Sequence, residues 1–143
     1  MSNIFNCLKH SYSSKEAREI LYLFSILFLY INNKYFIELE KNHLINEFII
    51  ELIIIYLENN NLMELVIFHA KNNFENNVDG LYICFTILEF YLIFGKNLSK
   101  YFDGKNLIKE KFYKLGGNEL LEKYINFPDE NLAHEIINIY KNF

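Results

Sequence analysis

Apolar residues recur along most of this chain at intervals of three and four, the spacing that gathers them on one side of an α-helix. The pattern is clearest in the last quarter, KNLIKEKFYKLGGNELLEKYINFPDENLAHEIINIYKNF, residues 105–143. A short amphipathic segment ends at Leu115-Gly116-Gly117, a second covers 118–127, and a third follows Pro128-Asp129-Glu130. Gly116 and Gly117 suit a sharp bend, because glycine tolerates positive φ and lets helices approach closely. Leu120, Leu121, Tyr124 and Ile125 then share a buried face of the middle helix. Pro128 cannot continue that helix. It fits the opening of the next one, where Asp129, Glu130 or Asn131 can cap free N–H groups. In the final helix Leu132, Ile136, Ile139 and Tyr140 fall on one face.

The upstream chain reads the same way. Residues 3–9 (NIFNCLK) predict a short helix with Ile4, Phe5 and Leu8 inward. Ser13-Ser14-Lys15-Glu16 has the spacing of a capping box, opening a helix that runs to about Ile31. Asn32-Asn33-Lys34 breaks it, a short helix follows at 35–41, and Asn42 marks a bend. Residues 44–57 (LINEFIIELIIIYL) form a strongly apolar helix with Glu47 and Glu51 on one face. LMELVIFHAKN, 62–72, is another helix, followed by a polar loop at 72–80 expected to be exposed and mobile. Residues 81–94 predict a buried helix closed by Gly95-Lys96-Asn97, and 101–104 a linker. Ile53-Ile54-Ile55 favours strand by propensity, yet no stretch alternates with period two between hairpin turns. The expectation is an all-α fold in one domain, 1–143.

Composition narrows the function more than the fold. The chain has 143 residues, 52% of them apolar and 17% aromatic, enough to build a core. Its net charge of −4 argues against a broad phosphate-binding surface. Abundant Asn, Ile, Lys, Phe and Tyr with scarce Gly, Pro and Trp reflect coding in an AT-rich genome. Cys7 and Cys84 are expected as buried free thiols in a reducing, intracellular setting, cytoplasmic or nuclear. The start, MSNIFNCLKHSYSS, lacks the pattern of a secretory signal. The apolar run at 20–31 is shorter than the ~20 residues that span a bilayer.

Candidate chemistry is sparse. His10, His43, His69 and His134 are scattered without metal spacing. His134-Glu135 begins like a zincin motif but has no second His. Gly116-Gly117 lacks the Lys-Ser/Thr of a phosphate loop, and neither cysteine has a nucleophile cue beside it. The reading is therefore non-enzymatic, with no cofactor, metal, membrane or small-molecule substrate. Glu47, Glu51 and Glu89 stand inside apolar helices, at a solvated edge or against a basic partner group. Lys105, Lys109, Lys111, Lys114 and Lys123 form one basic concentration, interleaved with Tyr101, Phe102, Phe112 and Tyr113. It is either the wet face of a helix or a contact for RNA or an acidic partner.

The order of short helix, paired glycine, middle helix, Pro-Asp turn and longer helix resembles an armadillo repeat. Over 87–143 it resembles the carboxy-terminal repeats of importin-α, and upstream segments such as IFNCLKHSYSSKEAREILYLFSIL resemble earlier repeats more loosely. The resemblance implies a short α-solenoid of three to four repeats that binds a peptide or protein along its long third helices. Importin-α binds nuclear localisation signals there through Trp-x-x-x-Asn pairs and acidic residues. This chain has no Trp. The equivalent pairs are Tyr22 and Ile26, Glu89 and Ile93, and Asn138 and Asn142, so the groove is degenerate; a second register pairs Phe68 with Asn72. The amino-terminal basic arm that importin-α offers to importin-β is absent from this sequence.

Two functions follow. The first is a protein-binding scaffold or adaptor using Tyr22, Glu51, Phe68, Asn72, Glu89, Asn138 and Asn142 toward a partner in a larger complex. The second is a regulatory or structural subunit docked on an assembly such as a ribosome, with the five lysines meeting RNA. Abundant Leu, Ile, Phe and Tyr in a short array further predict a permanent partner over one end or flank.

Overall fold

The computed structural model describes residues 2–10, 13–30, 41 and 61–142, and among these every regular element is helical. They include seven α-helices: α1 (Ser2–Lys9), α2 (Ser14–Tyr30), α3 (Leu62–Asn72), α4 (Val78–Leu98), α5 (Leu107–Lys114), α6 (Gly117–Tyr124) and α7 (Glu130–Lys141). A 3-10 turn, Ser99–Tyr101, follows α4. The helices expected at 35–41, Lys41 excepted, and at 44–57, with His43, Glu47 and Glu51, lie outside the described residues.

Local chemistry sets the boundaries. Ser13 Oγ accepts from the Glu16 N–H at 3.2 Å and opens α2. Asn77 Oδ1 accepts from the Gly80 N–H at 3.0 Å and starts α4 three residues earlier than the apolar run suggests. Asn106 caps α5 through the Lys109 N–H, and Asp129 caps α7 through the Leu132 N–H at 2.9 Å. Of the three capping candidates after Pro128, Asp129 makes this bond. The middle helix ends at Tyr124, leaving Ile125 exposed rather than on the buried face.

Two rows of helices result. α1, α3 and α6 touch in succession, as do α2, α4 and α7. Rungs α1–α2, α3–α4 and α6–α7 join the rows, and α5 lies on α4 and α6. α4 is the hub. Its Leu81, Cys84, Phe85, Ile87, Leu88, Tyr91, Leu92, Phe94 and Leu98 are buried nearly all round, as expected for a helix with neighbours on most sides. Its 21 residues are also long and apolar enough to cross a membrane; here 56% of the most apolar window is buried inside the fold. One cluster runs from Leu8, Ala17, Leu21 and Phe24 through α3 and α4 to Leu132, Ile136 and Ile139.

Three expectations change. The polar segment at 72–80 is held rather than loose: Phe74 is fully buried, and both its N–H and that of Asn73 donate to the His69 carbonyl. Gly95 does not end α4, because it serves close approach: Asn106 and Ile108 at the start of α5 occupy the space a Cβ would fill. Cys7 is exposed, while Cys84 is buried and desolvation pushes its thiol pKa far up.

The paired glycines divide the work at the α5–α6 bend. Gly116 carries φ of 76°, a left-handed conformation that glycine adopts freely. Gly117 is helical and lies against the ring of Phe112, which is itself fully buried. Burying such a ring contributes roughly 1.5–3 kcal/mol. Gly117→Ala is expected to destabilise the fold by about 1–3 kcal/mol despite alanine's better helix propensity, because the ring cannot yield; urea unfolding measures it.

A single imidazole ties α1 to α3. His69 is 1% exposed, and its Nε2 lies 3.0 Å from the Leu8 carbonyl oxygen. A carbonyl only accepts, so Nε2 carries the proton, and the bare Nδ1 accepts from the Asn73 amide at 2.6 Å. Burial lowers the His69 pKa, against the opposing pull of the Leu8 carbonyl. The unfolded chain therefore takes up this proton first on acidification. The stability His69 confers is complete above about pH 6.5 and is lost as pH falls through the lowered value. His69→Gln, which can still donate to Leu8, should flatten the fall in Tm between pH 7.5 and 5.

Candidate functional site

Because α2, α3, α5 and α7 all lie against α4, only one stripe of that helix stays partly open. It holds Tyr82, Thr86, Glu89, Phe90 and Ile93, spaced by three and four and therefore on one side of the helix. Tyr82 is 42% exposed, and Thr86 turns its hydroxyl inward to donate to the Tyr82 carbonyl at 2.9 Å. On α2 the exposed large residues are Tyr22, Leu23 and Ile26, at 51%, 59% and 47%. On α7, His134 and Ile137 are exposed and Asn138 and Asn142 half-buried. Each of three neighbouring helices of one row thus carries exposed or half-exposed apolar and polar side chains.

The three residue pairs expected at equivalent repeat positions thus fall on α2, α4 and α7, which are adjacent. Tyr22 and Ile26 are open to cover by a partner. Asn142 is less available: its amide donates to the Asn138 carbonyl at 2.8 Å, closing the last turn of α7. Phe68 and Asn72 belong to α3, in the other row. Phe68 is 52% exposed, and the Asn72 amide donates to the Phe68 carbonyl at 2.9 Å, a local helix bond. The two registers therefore mark different sides of the molecule.

Glu89 meets a group that spacing did not single out. Glu135 on α7, only 6% exposed, feels the charge of Glu89. The Oε1 atom of Glu135 is buried with no hydrogen-bond partner of its own. Desolvation first, and behind it the neighbouring carboxyl of Glu89, push the Glu135 carboxyl up to about 8. Glu135 stands in the buried stripe Leu132, Ile136, Ile139. An acid inside an apolar stripe is a legible signal; the identity of its partner on another helix is not.

The five lysines do not form one surface. Lys109 and Lys111 point to different sides of α5, about 200° apart on a helix. Lys109 lies 5.9 Å from the Tyr113 ring centroid. Lys123 bonds Glu75 at 2.9 Å, joining the turn after α3 to α6, and lies over Tyr124. Lys105 and Lys114 are exposed, as are Glu110, Glu119 and Glu122.

The histidines are dispersed: His69 is inside the α1–α3 contact, His134 is exposed, and His10 lines a 610 Å³ surface cavity with Asn6, Cys7, Glu16 and Ile20. Among the described residues no three of His, Cys, Asp and Glu gather as metal ligands would. No protein-family model, no curated protein and no solved structure matches this chain.

Proposed function

We propose that this chain is a short armadillo-type helical array, resembling a degenerate importin-α, that acts as a non-enzymatic binding protein. The partner is a protein segment laid across α2, α4 and α7. The observation that carries this reading is the order of contacts: three rungs stacked side by side, with α4 between α2 and α7 and α3 between α1 and α6. Such stacking leaves one helix of each rung with a side chain row facing outward, the arrangement that extended binding surfaces of repeat proteins use. Tyr22 and Ile26 offer exposed apolar area, and Tyr82, Glu89, Ile93 and Asn138 continue the face with mixed chemistry. Aromatic residues at the centre of an interface carry a large part of its affinity.

Proximity labelling from the full chain names the partner, and purified partner then gives Kd values for variants. Tyr22→Ala and Ile26→Ala are expected to weaken binding about tenfold, a hot-spot effect, whereas Phe68→Ala on α3 changes it less than about twofold. Raising the salt concentration should have little effect. A Kd that follows Phe68 instead, or capture of RNA with affinity falling steeply in salt, would contradict this assignment.

A further inference from the structure

The chain contains two Asp-Gly pairs, Asp79-Gly80 and Asp103-Gly104, and the fold treats them in opposite ways. Such a pair is chemically labile, because glycine has no side chain to shield its backbone nitrogen and turns freely towards the neighbouring carboxyl. Asp79 and Gly80 stand in the first turn of α4. The Gly80 N–H donates to Asn77 Oδ1 at 3.0 Å, and the Leu81 N–H to the Asn77 carbonyl at 2.9 Å. Gly80 is buried, and the ring of Phe74 occupies the space a Cβ would fill. Its nitrogen is therefore held away from reaction unless the start of the hub helix opens. Asp103 and Gly104 lie in the turn between α4 and α5, both exposed, with φ of 53° and 79°. Apart from its chain neighbours, no atom lies within 4 Å of where a Cβ on Gly104 would sit. The Gly104 N–H donates to the Ser99 carbonyl at 2.9 Å, an acceptor it shares with the Phe102 N–H at 3.0 Å. An exposed turn held in this way opens at low cost, whereas a buried hub helix does not.

We propose that Asp103 is a site of spontaneous backbone isomerisation on the α4–α5 connection, and that the fold protects Asp79 from the same reaction. The Gly104 nitrogen forms a bond to Asp103 Cγ, and its proton leaves with the carboxyl hydroxyl as water. The product is a five-membered succinimide. One water then opens it at either carbonyl, restoring aspartate or leaving isoaspartate, in which the main chain runs through the side-chain carbon. Water is the single co-reactant, and nothing is oxidised or reduced. Attack requires the Gly104 N–H to leave the Ser99 carbonyl, so the folded turn slows the reaction without stopping it. At Gly80 the bond to Asn77 and the packing of Phe74 must both be lost, which ties reaction there to opening of α4. Isoaspartate adds one carbon to the main chain just before Asn106, the residue that caps α5. The modification is independent of what the α2–α4–α7 face binds.

The full chain, aged at 37 °C and neutral pH, tests this by peptide mass spectrometry, with isoaspartate recognised by its resistance to an aspartate-specific endoproteinase. A free Tyr-Phe-Asp-Gly-Lys peptide aged alongside sets the time scale. Isoaspartate should accumulate at Asp103 about tenfold or more faster than at Asp79, the difference in cost of opening an exposed turn and a buried helix. In concentrated urea, where neither pair is held, the two rates should come within about twofold of each other. Asp103→Glu, whose cyclisation needs a larger ring, should lose the signal at this position and leave Asp79 unchanged. Three results would overturn the assignment: no isoaspartate at Asp103 once the free peptide is half converted, equal rates at both sites in the folded chain, or a difference that persists unchanged in urea.

Discussion

The structure depends on the burial of α4. Its Leu81, Phe85, Leu88 and Leu92 are each fully removed from water, and α2, α3, α5 and α7 lie directly against it. A helix this apolar has no stable solvent-exposed form, so its sequence obliges neighbours to cover it on several sides. The two rows follow from that demand. α2 and α7 take the flanks, α3 and α5 cover further sides, and the remaining stripe becomes the one surface of α4 open to a partner. The candidate site is in this sense the remainder of the packing problem.

Two buried polar groups on outer helices respond to pH in opposite directions. At one end the neutral imidazole of His69 bridges α1 and α3 and weakens with acid. At the other, the Glu135 carboxyl on α7 is shut away from water, and desolvation pushes its pKa up. Buried polar groups of this kind contribute when satisfied and become costly when their protonation changes. Acid should therefore loosen the α1 end first and alkali the α7 end, with the outer helices yielding before the centre in both directions.

Much of this was readable from residue order. α3 has the boundaries that LMELVIFHAKN suggests, and the glycine pair, the Asp129 cap and the inward face of α7 are where local rules place them. Local rules failed where a residue serves a distant contact. Gly95-Lys96-Asn97 has the look of a helix end, but Gly95 is bare so that α5 can approach. Phe74 sits in a run of Asn and Glu that reads as loop, yet it is fully buried and its ring lies against Gly80 of α4. Glu135 stands within the apolar stripe of α7, and the influence of Glu89 on it, from another helix, is not written in the spacing of either one. In each case the missing information is a neighbour outside the helix, which spacing within one helix does not contain.

Native-state hydrogen exchange, resolved by residue, tests the central role of α4 most directly. If α4 is the hub, the amides of Cys84, Phe85, Ile87 and Leu88 exchange only through global unfolding, with an opening free energy equal to that from denaturant, while α1 and α7 open locally at lower cost. Protection in α4 no greater than in α1 or α7 would contradict the account.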